Sequence, residues 1–170
     1  SAGNGLTKKV LVIGDSLVNA GIITQSMLDI VTGGDVMGLT LLGTRGSGGN
    51  KHEGRGGWTI AGYTSNYSDG TYGANPFWKA GAVNFGQYLT DNSIATPDWV
   101  FIHLGINDCF SQTDDTACSI VADSAFAKLD VLIASIKAAD ANVKIGLMIP
   151  SPPSADQDSF GLSEALGATR

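Results

Sequence analysis

Residues 10 to 17, Val10-Leu11-Val12-Ile13-Gly14-Asp15-Ser16-Leu17, lead from an apolar strand into a helix and place a serine at the turn. The apolar run is typical of a central parallel strand that is covered on both faces. Apolar residues then recur at helical spacing and predict one amphipathic helix that ends at Gly33-Gly34; they are Leu17, Ala20, Ile23, Met27, Ile30 and Val31. Ser16 is therefore expected where open α/β sheets bind ligands and where backbone N–H groups favour negative charge. A helix N-cap is the alternative role for Ser16.

The bulk composition indicates one globular domain. The chain has 170 residues, 43% of them hydrophobic, and a formal net charge of −6 with scattered basic residues, which argues against a nucleic-acid partner. No apolar run approaches the roughly 20 residues that a membrane span needs. Abundant glycine and few charges favour a secreted or periplasmic protein. We expect a leader or tag remnant over residues 1–7 and a single domain over residues 8–170.

The two cysteines, Cys109 and Cys118, are nine residues apart in a polar stretch. This separation could close a disulfide in an oxidising compartment, and two unrelated thiols are the alternative. No Cys/His pair has the spacing of zinc ligands, so we expect neither a metal nor a cofactor.

Further strands and helices alternate along the chain. Apolar runs predict strands over residues 36–42, 99–104 and 143–149, and a helix over residues 120–139. This alternation predicts an α/β sandwich with a mainly parallel sheet, whose carboxyl strand ends lie at one edge. Three polar segments should meet there: Gly14–Ser16, Gly54–Trp58 and Gly105–Asp108.

Two stretches between the predicted strands are irregular. Residues 43–57 are dense in glycine, which is typical of backbone that turns sharply or approaches a ligand closely, but they match neither a P-loop nor a dinucleotide fingerprint. From residue 59 to about residue 92 we expect a short helix and then a long surface excursion. The aromatic residues of the excursion could stack on sugar rings or pack against the core.

Three short blocks together resemble the SGNH hydrolases, also called GDSL-type esterases and lipases. The blocks are Gly14-Asp15-Ser16-Leu17, His52-Glu53-Gly54-Arg55-Gly56-Gly57-Trp58-Thr59 and Gly105-Ile106-Asn107-Asp108. The second block is similar to the branch that contains acetylxylan esterases and related carbohydrate esterases. The resemblance implies a three-layer α/β/α sandwich with a mainly parallel sheet, which is a flavodoxin-like fold.

The resemblance also implies residue roles. Ser16 would be the nucleophile, and the oxyanion would be bound by the Ser16 N–H, a glycine N–H of the second block and the Asn107 side chain. Gly57 is our choice for that glycine, with Gly56 or Gly54 as alternatives. The expected substrate is an acylated carbohydrate, cleaved through an acyl-serine without metal.

The fourth block of the family, an Asp-x-x-His that supplies the general base and its carboxylate, is not in this sequence. Of the two histidines, His103 is expected in the core and His52 is expected to shape the glycine loop. We expect a proteolytically nicked enzyme, in which a separate C-terminal fragment of the same protein restores Asp-x-x-His and completes the fold. The alternatives are a non-catalytic carbohydrate-binding relative and, more remotely, a nucleotide- or phosphate-binding domain.

Overall fold

A computed structural model describes residues 5–32 and 37–150 of the chain. Its elements are a mixture of strands and helices, as the sequence predicts, but runs of consecutive strands or helices interrupt the predicted alternation. In chain order they are β1 Thr7–Gly14, α1 Ser16–Asn19, α2 Ile22–Thr32, β2 Gly38–Leu42, β3 Arg45–Ser47, β4 Asn50–Gly54, α3 Ile60–Thr64, β5 Ser68–Asp69, β6 Gly73–Ala74, β7 Trp78–Lys79, β8 Ala82–Val83, α4 Phe85–Asp91, β9 Trp99–His103, α5 Ile106–Cys109, α6 Asp115–Ala139 and β10 Lys144–Leu147.

The central sheet has six strands in the order β10-β9-β1-β4-β3, with β2 paired to the first half of β1. All pairings are parallel except the β3–β4 hairpin. Gly14 lies opposite Gly54 of β4 on one side and His103 of β9 on the other. The prediction of a mixed α/β fold with a mainly parallel sheet is confirmed.

β1 is the most deeply buried strand because it has neighbours on both edges and helices on both faces. Leu11 and Ile13 pack with residues of α3, α4 and α6. Val10 and Val12 pack with Val18 of α1 and with α2. Alternate residues of the apolar run thus enter two separate cores, as expected for a central parallel strand. β1 begins at Thr7, one residue before the predicted domain start.

The prediction of one continuous first helix is wrong. α1 has four residues, and α2 starts after Gly21, whose φ of +73° is left-handed. Asn50 holds this break by donating to the Gly21 carbonyl at 3.0 Å. The predicted apolar face is also incomplete, because Leu17 and Ile30 are exposed. The predicted end at Gly33-Gly34 lies outside the described residues. The last described residue of α2 is Thr32.

The glycine-dense stretch contains two strands that the sequence pattern did not predict. β3 and β4 form a hairpin within it, and β4 inserts beside β1. The buried residues of β4 include the polar residues His52 and Glu53, so no alternation of apolar and polar residues marks β4 as a strand.

The long excursion is more compact than predicted. The short helix after Trp58 is present as α3, but two small hairpins and α4 follow it. Most of the aromatic side chains of this region are buried, namely Tyr63, Phe77, Phe85 and Tyr88. The structure therefore favours core packing over sugar stacking for these four rings.

The last helix and the later strands follow the predictions closely. α6 begins five residues before the predicted start because Asp114 caps it by accepting from the Ala117 N–H at 2.8 Å. Its buried residues recur every three or four positions, as on one face of an amphipathic helix; they are Ala125, Leu129, Leu132 and Ile136. The sequence after Ser154 also indicates the start of a helix, but these residues lie outside the part of the chain that the structure describes.

The structure holds Cys109 and Cys118 as thiols and so does not confirm the predicted disulfide. The Cys109 Sγ lies 3.9 Å from the Cys118 carbonyl oxygen.

Candidate active site at the carboxyl ends of β1, β4 and β9

Ser16 lies exposed at the first position of α1, directly after β1. The N-cap is Asp15, whose Oδ1 accepts from the Leu17 N–H at 3.0 Å. The alternative role predicted for Ser16, the cap, thus belongs to its neighbour. Asp15 is fully buried, so the turn presents Ser16 outward while its carboxylate neighbour faces inward.

Two glycines allow the strands and α1 to approach each other closely. A Cβ on Gly14 would lie 2.3 Å from a Val18 methyl carbon and 2.8 Å from the His103 carbonyl oxygen. A Cβ on Gly54 would lie 2.3 Å from the Asn19 nitrogen. Neither position can accept a side chain without a shift of the backbone, so glycine at both positions brings the Ser16 turn against β4 and β9.

The structure brings Gly56 to Ser16. A Cβ built on Gly56 would lie 3.8 Å from the Ser16 Cβ, whereas one on Gly57 would meet no atom of the described residues within 4 Å. Gly57 is exposed and has a φ of +77°. Gly57, our choice for an oxyanion donor, is thus farther from neighbouring groups than the alternative Gly56, and Gly54 is packed against α1.

Asn107 fastens the third segment to the second, and Asp108 fastens it to the start of α3. The Asn107 Nδ2 donates to the Trp58 carbonyl at 2.9 Å. Both carboxylate oxygens of Asp108 accept from the Ile60 N–H, at 3.2 and 3.1 Å. The Arg55 N–H donates to the Gly14 carbonyl at 2.9 Å and joins the second segment to the first. The predicted convergence of the three segments is confirmed.

A buried polar network supports the second segment, and sequence reasoning missed it. Glu53 is fully buried. Its carboxylate accepts from the Thr44 N–H at 2.5 Å, from the Tyr88 hydroxyl at 2.7 Å and from Arg55 Nη1 at 2.7 Å. Burial, and then the adjacent Glu53 carboxylate, raise the pKa of Tyr88, so the hydroxyl stays a donor. Tyr88 lies 35 residues from Glu53 in the sequence, and no local pattern could reveal this partner.

Tyr63 connects this network to the serine strand. Its buried hydroxyl lies 2.7 Å from the Gly14 carbonyl oxygen and 2.5 Å from that of Glu53. Trp58 packs against Tyr63 with ring centroids 4.9 Å apart, and its indole N–H donates to Asp69. The Tyr63 hydroxyl thus joins the backbone of β1, just before Ser16, to that of β4.

Arg45, Tyr72 and Asn19 form a rim near Ser16 that the sequence did not indicate. The Arg45 guanidinium carbon lies 4.6 Å from the Tyr72 ring centroid, and Nη2 donates to Asn19 Oδ1 at 3.2 Å. The Tyr72 hydroxyl accepts from Asn19 Nδ2 at 3.3 Å and lies 2.8 Å from the Cβ position of Gly56. This rim borders the glycine that is nearest to Ser16.

Neither histidine is placed as an exposed base. His52 is buried, and its Nδ1 accepts from the Gly54 N–H at 3.0 Å. Burial, and then Arg45, lower the pKa of His52, which favours the neutral ring that this bond requires. His103 is also buried, and its Nδ1 lies 4.0 Å from Asp15 Oδ1. These positions agree with the predicted loop-shaping and core roles.

An apolar cavity of about 350 Å³ adjoins the third segment. Gly105 and Asp108 border it on one side and Phe126 and Ile149 on the other. Ser16 does not belong to its lining as far as the described residues define it. We therefore assign the cavity no part in the candidate site.

Comparison with family models, with curated proteins and with solved structures gave no match. Among the described residues, no group of three His, Cys, Asp or Glu side chains could hold a metal ion. None of the described helices is long and apolar enough to cross a membrane.

Proposed function

We propose that this protein is a serine esterase that removes O-acetyl or other short acyl groups from carbohydrate through an acyl-serine intermediate. The observation that carries the proposal is the convergence of three segments around an exposed serine. Ser16 stands at the carboxyl edge of the sheet, Gly56 lies beside it, and Asn107 is fastened to the same loop. On this proposal the fold is the three-layer sandwich of the SGNH hydrolases, and the protein is secreted or periplasmic.

The chemistry requires a nucleophile and donors that are in place before the reaction starts. Ser16 Oγ attacks the ester carbonyl carbon while its proton passes to a general base. The oxyanion accepts from the Ser16 N–H, the Gly56 N–H and the second amide proton of Asn107, whose first proton is bonded to Trp58. We assign Gly56 rather than Gly57 because of its proximity to Ser16.

The tetrahedral intermediate then collapses. The sugar oxygen leaves with the proton from the base, and an acyl group remains on Ser16. Water hydrolyses this ester by the same steps and restores the serine. The base and its carboxylate would come from an Asp-x-x-His of a C-terminal fragment, since His52 and His103 are both buried and His52 Nδ1 already accepts from the Gly54 N–H.

Fluorophosphonate labelling tests this proposal. In a preparation containing every chain of the protein, we expect the probe to modify Ser16 and an activated acetyl ester to be hydrolysed. Ser16→Ala should lower turnover by about 10⁴-fold or more, because it removes the nucleophile.

Ser47→Ala is the matched control, since Ser47 is an exposed serine of the neighbouring hairpin, and it should leave the rate unchanged. Undiminished turnover in Ser16→Ala, or labelling at another serine, would reject the mechanism.

A carbohydrate-binding protein without catalysis is the second candidate. The buried state of both histidines favours it. The burial of Tyr63, Phe77, Phe85 and Tyr88 weakens it, because these rings cannot stack on a sugar. Binding of an acetylated polysaccharide with no labelling of Ser16 in the complete preparation would support this function instead.

A further inference from the structure

Asp15 and His103 are two buried titratable side chains next to the proposed nucleophile that the mechanism does not use. Asp15 is fully buried and His103 is 4% exposed. Gly14 and His103 are register partners on neighbouring strands, so the imidazole lies beside the Asp15 turn. The 4.0 Å between His103 Nδ1 and Asp15 Oδ1 is an electrostatic contact, too long for a hydrogen bond.

Each of the two side chains has a polar atom with no hydrogen-bond partner. Asp15 Oδ2 and His103 Nδ1 are both buried and unbonded within the part of the chain that the structure describes. A buried carboxylate with one oxygen that has no donor is poorly compensated as an anion, and an unbonded imidazole nitrogen is also costly. The two groups complement each other. An imidazolium would supply the positive charge and the N–H donor that the carboxylate lacks, and the carboxylate would supply the acceptor that the imidazole nitrogen lacks.

We propose that His103 is a positioning residue, which pairs as imidazolium with the Asp15 carboxylate and thereby holds the Ser16 turn. Asp15 transmits the effect through the bond that its Oδ1 accepts from the Leu17 N–H at 3.0 Å. An ionised carboxylate accepts this bond more strongly than a protonated one. The effect on Ser16 chemistry rests on the proposed function; the pairing itself does not.

The surroundings of Asp15 agree with this role. Burial raises the pKa of Asp15, while the Leu17 amide and the His103 charge oppose that rise. Among the described residues, Tyr63 of α3 also interacts electrostatically with Asp15, and its own pKa is raised by burial. Tyr63 therefore stays neutral over the range in which Asp15 titrates.

The chemical shift of the Leu17 amide proton, followed against pH by NMR, tests the pairing without any need for catalysis. The midpoint of this titration reports the ionisation of Asp15. We expect the midpoint to move to higher pH in His103→Leu and in His103→Asn, because both variants remove the imidazolium. If His103→Leu does not fold, His103→Asn alone decides this measurement. An unchanged midpoint would overturn the proposal.

The second measurement is the rate at which a fluorophosphonate modifies Ser16. His103→Leu should lower this rate by about 10-fold to 100-fold, the effect of a small misplacement of a reacting group. His103→Asn should restore part of it, since its amide can still donate towards Asp15. An equal loss in both variants would mean that His103 only fills space, and would overturn the positioning role.

His52→Asn is the matched control, because His52 is the other buried histidine and asparagine keeps an acceptor for the Gly54 N–H. We expect the midpoint of the Leu17 amide titration in this variant to equal that of the wild type. A shift as large as that of the His103 variants would indicate a general loss of packing and count against the pairing. If the wild-type protein is not labelled but the midpoint still moves in the His103 variants, the esterase proposal fails and the pairing stands.

Discussion

The candidate site has two walls that are held in different ways. The glycine-block wall, residues 53–58, is supported from behind by the buried carboxylate of Glu53 and the hydroxyls of Tyr63 and Tyr88. The Asn107 wall, residues 105–108, is half-exposed. It is joined to the first wall by the bond that Asn107 donates to Trp58, and to the start of α3 by the bonds that Asp108 accepts from Ile60. The second wall thus takes its position from the first. Damage to the glycine-block wall should affect the whole fold, whereas damage to the Asn107 wall should remain local.

Glu53→Ala should give the largest loss of stability. It removes the carboxylate that neutralises Arg55, and both side chains are almost completely inaccessible to solvent. Because an uncompensated charge would remain buried, we expect the free energy of unfolding to fall by about 3–5 kcal/mol. Chemical denaturation measures this change.

The exposed pair Lys79–Asp91 provides the control for Glu53→Ala. Its atoms approach to 2.9 Å, a distance similar to that of the buried pair, but solvent screens the charges. Asp91→Ala should therefore change the stability far less. Equal losses in the two variants would show that the glycine-block wall does not depend on its buried ion pair.

Asn107→Ala should have an intermediate effect, and mainly on chemistry. It removes the amide that we assign to the oxyanion, so the rate of Ser16 modification by a fluorophosphonate should fall on the order of 10²- to 10³-fold. The loss of one hydrogen bond to Trp58 should lower the free energy of unfolding by only about 1 kcal/mol.

Asn107→Asp is the companion variant, since it keeps the shape of the side chain but removes the donor. Both variants should be labelled slowly while they remain folded. A normal labelling rate in either would remove Asn107 from the oxyanion hole and leave it only as a fastening residue.

The same contrast explains which features the sequence could predict. The strand before Ser16 and the buried face of α6 were predictable because each repeats a local apolar pattern. The meeting of the three polar segments followed from the rule that parallel strands end at one edge. The Asn107 wall, which follows directly from β9, was therefore foreseeable.

The glycine-block wall depends on partners that no local pattern connects. Thr44, Tyr63 and Tyr88 meet Glu53 only after the chain has folded. β4 carries buried polar residues in place of an alternating pattern. The break of the first helix likewise depends on Asn50, which lies 29 residues from the carbonyl to which it bonds. Long-range side-chain bonds thus account for most of what was missed.

Asp108→Asn should have the smallest effect on the free energy of unfolding, and the size of that effect should depend on pH. Burial raises the pKa of Asp108, and the Ile60 N–H opposes that rise. The folded protein therefore binds the Asp108 proton more tightly than the unfolded chain. The stability that this gives is present below the unfolded pKa and is lost as pH rises through the folded pKa. Asparagine keeps an acceptor for the Ile60 N–H and carries no charge, so the variant should match the wild type in acid and exceed it at neutral pH.

Urea unfolding from acid to neutral pH measures this difference, with Asp130→Asn as the control because Asp130 is an exposed aspartate of α6. The control should follow the wild-type pH dependence, and Asp108→Asn should diverge from it only as the pH rises. If Asp108→Asn were instead less stable at neutral pH, the ionised carboxylate would be holding Ile60 more strongly than its burial costs. The Asn107 wall would then depend on a buried charge in the same way as the glycine-block wall, and the distinction between the two walls would fail.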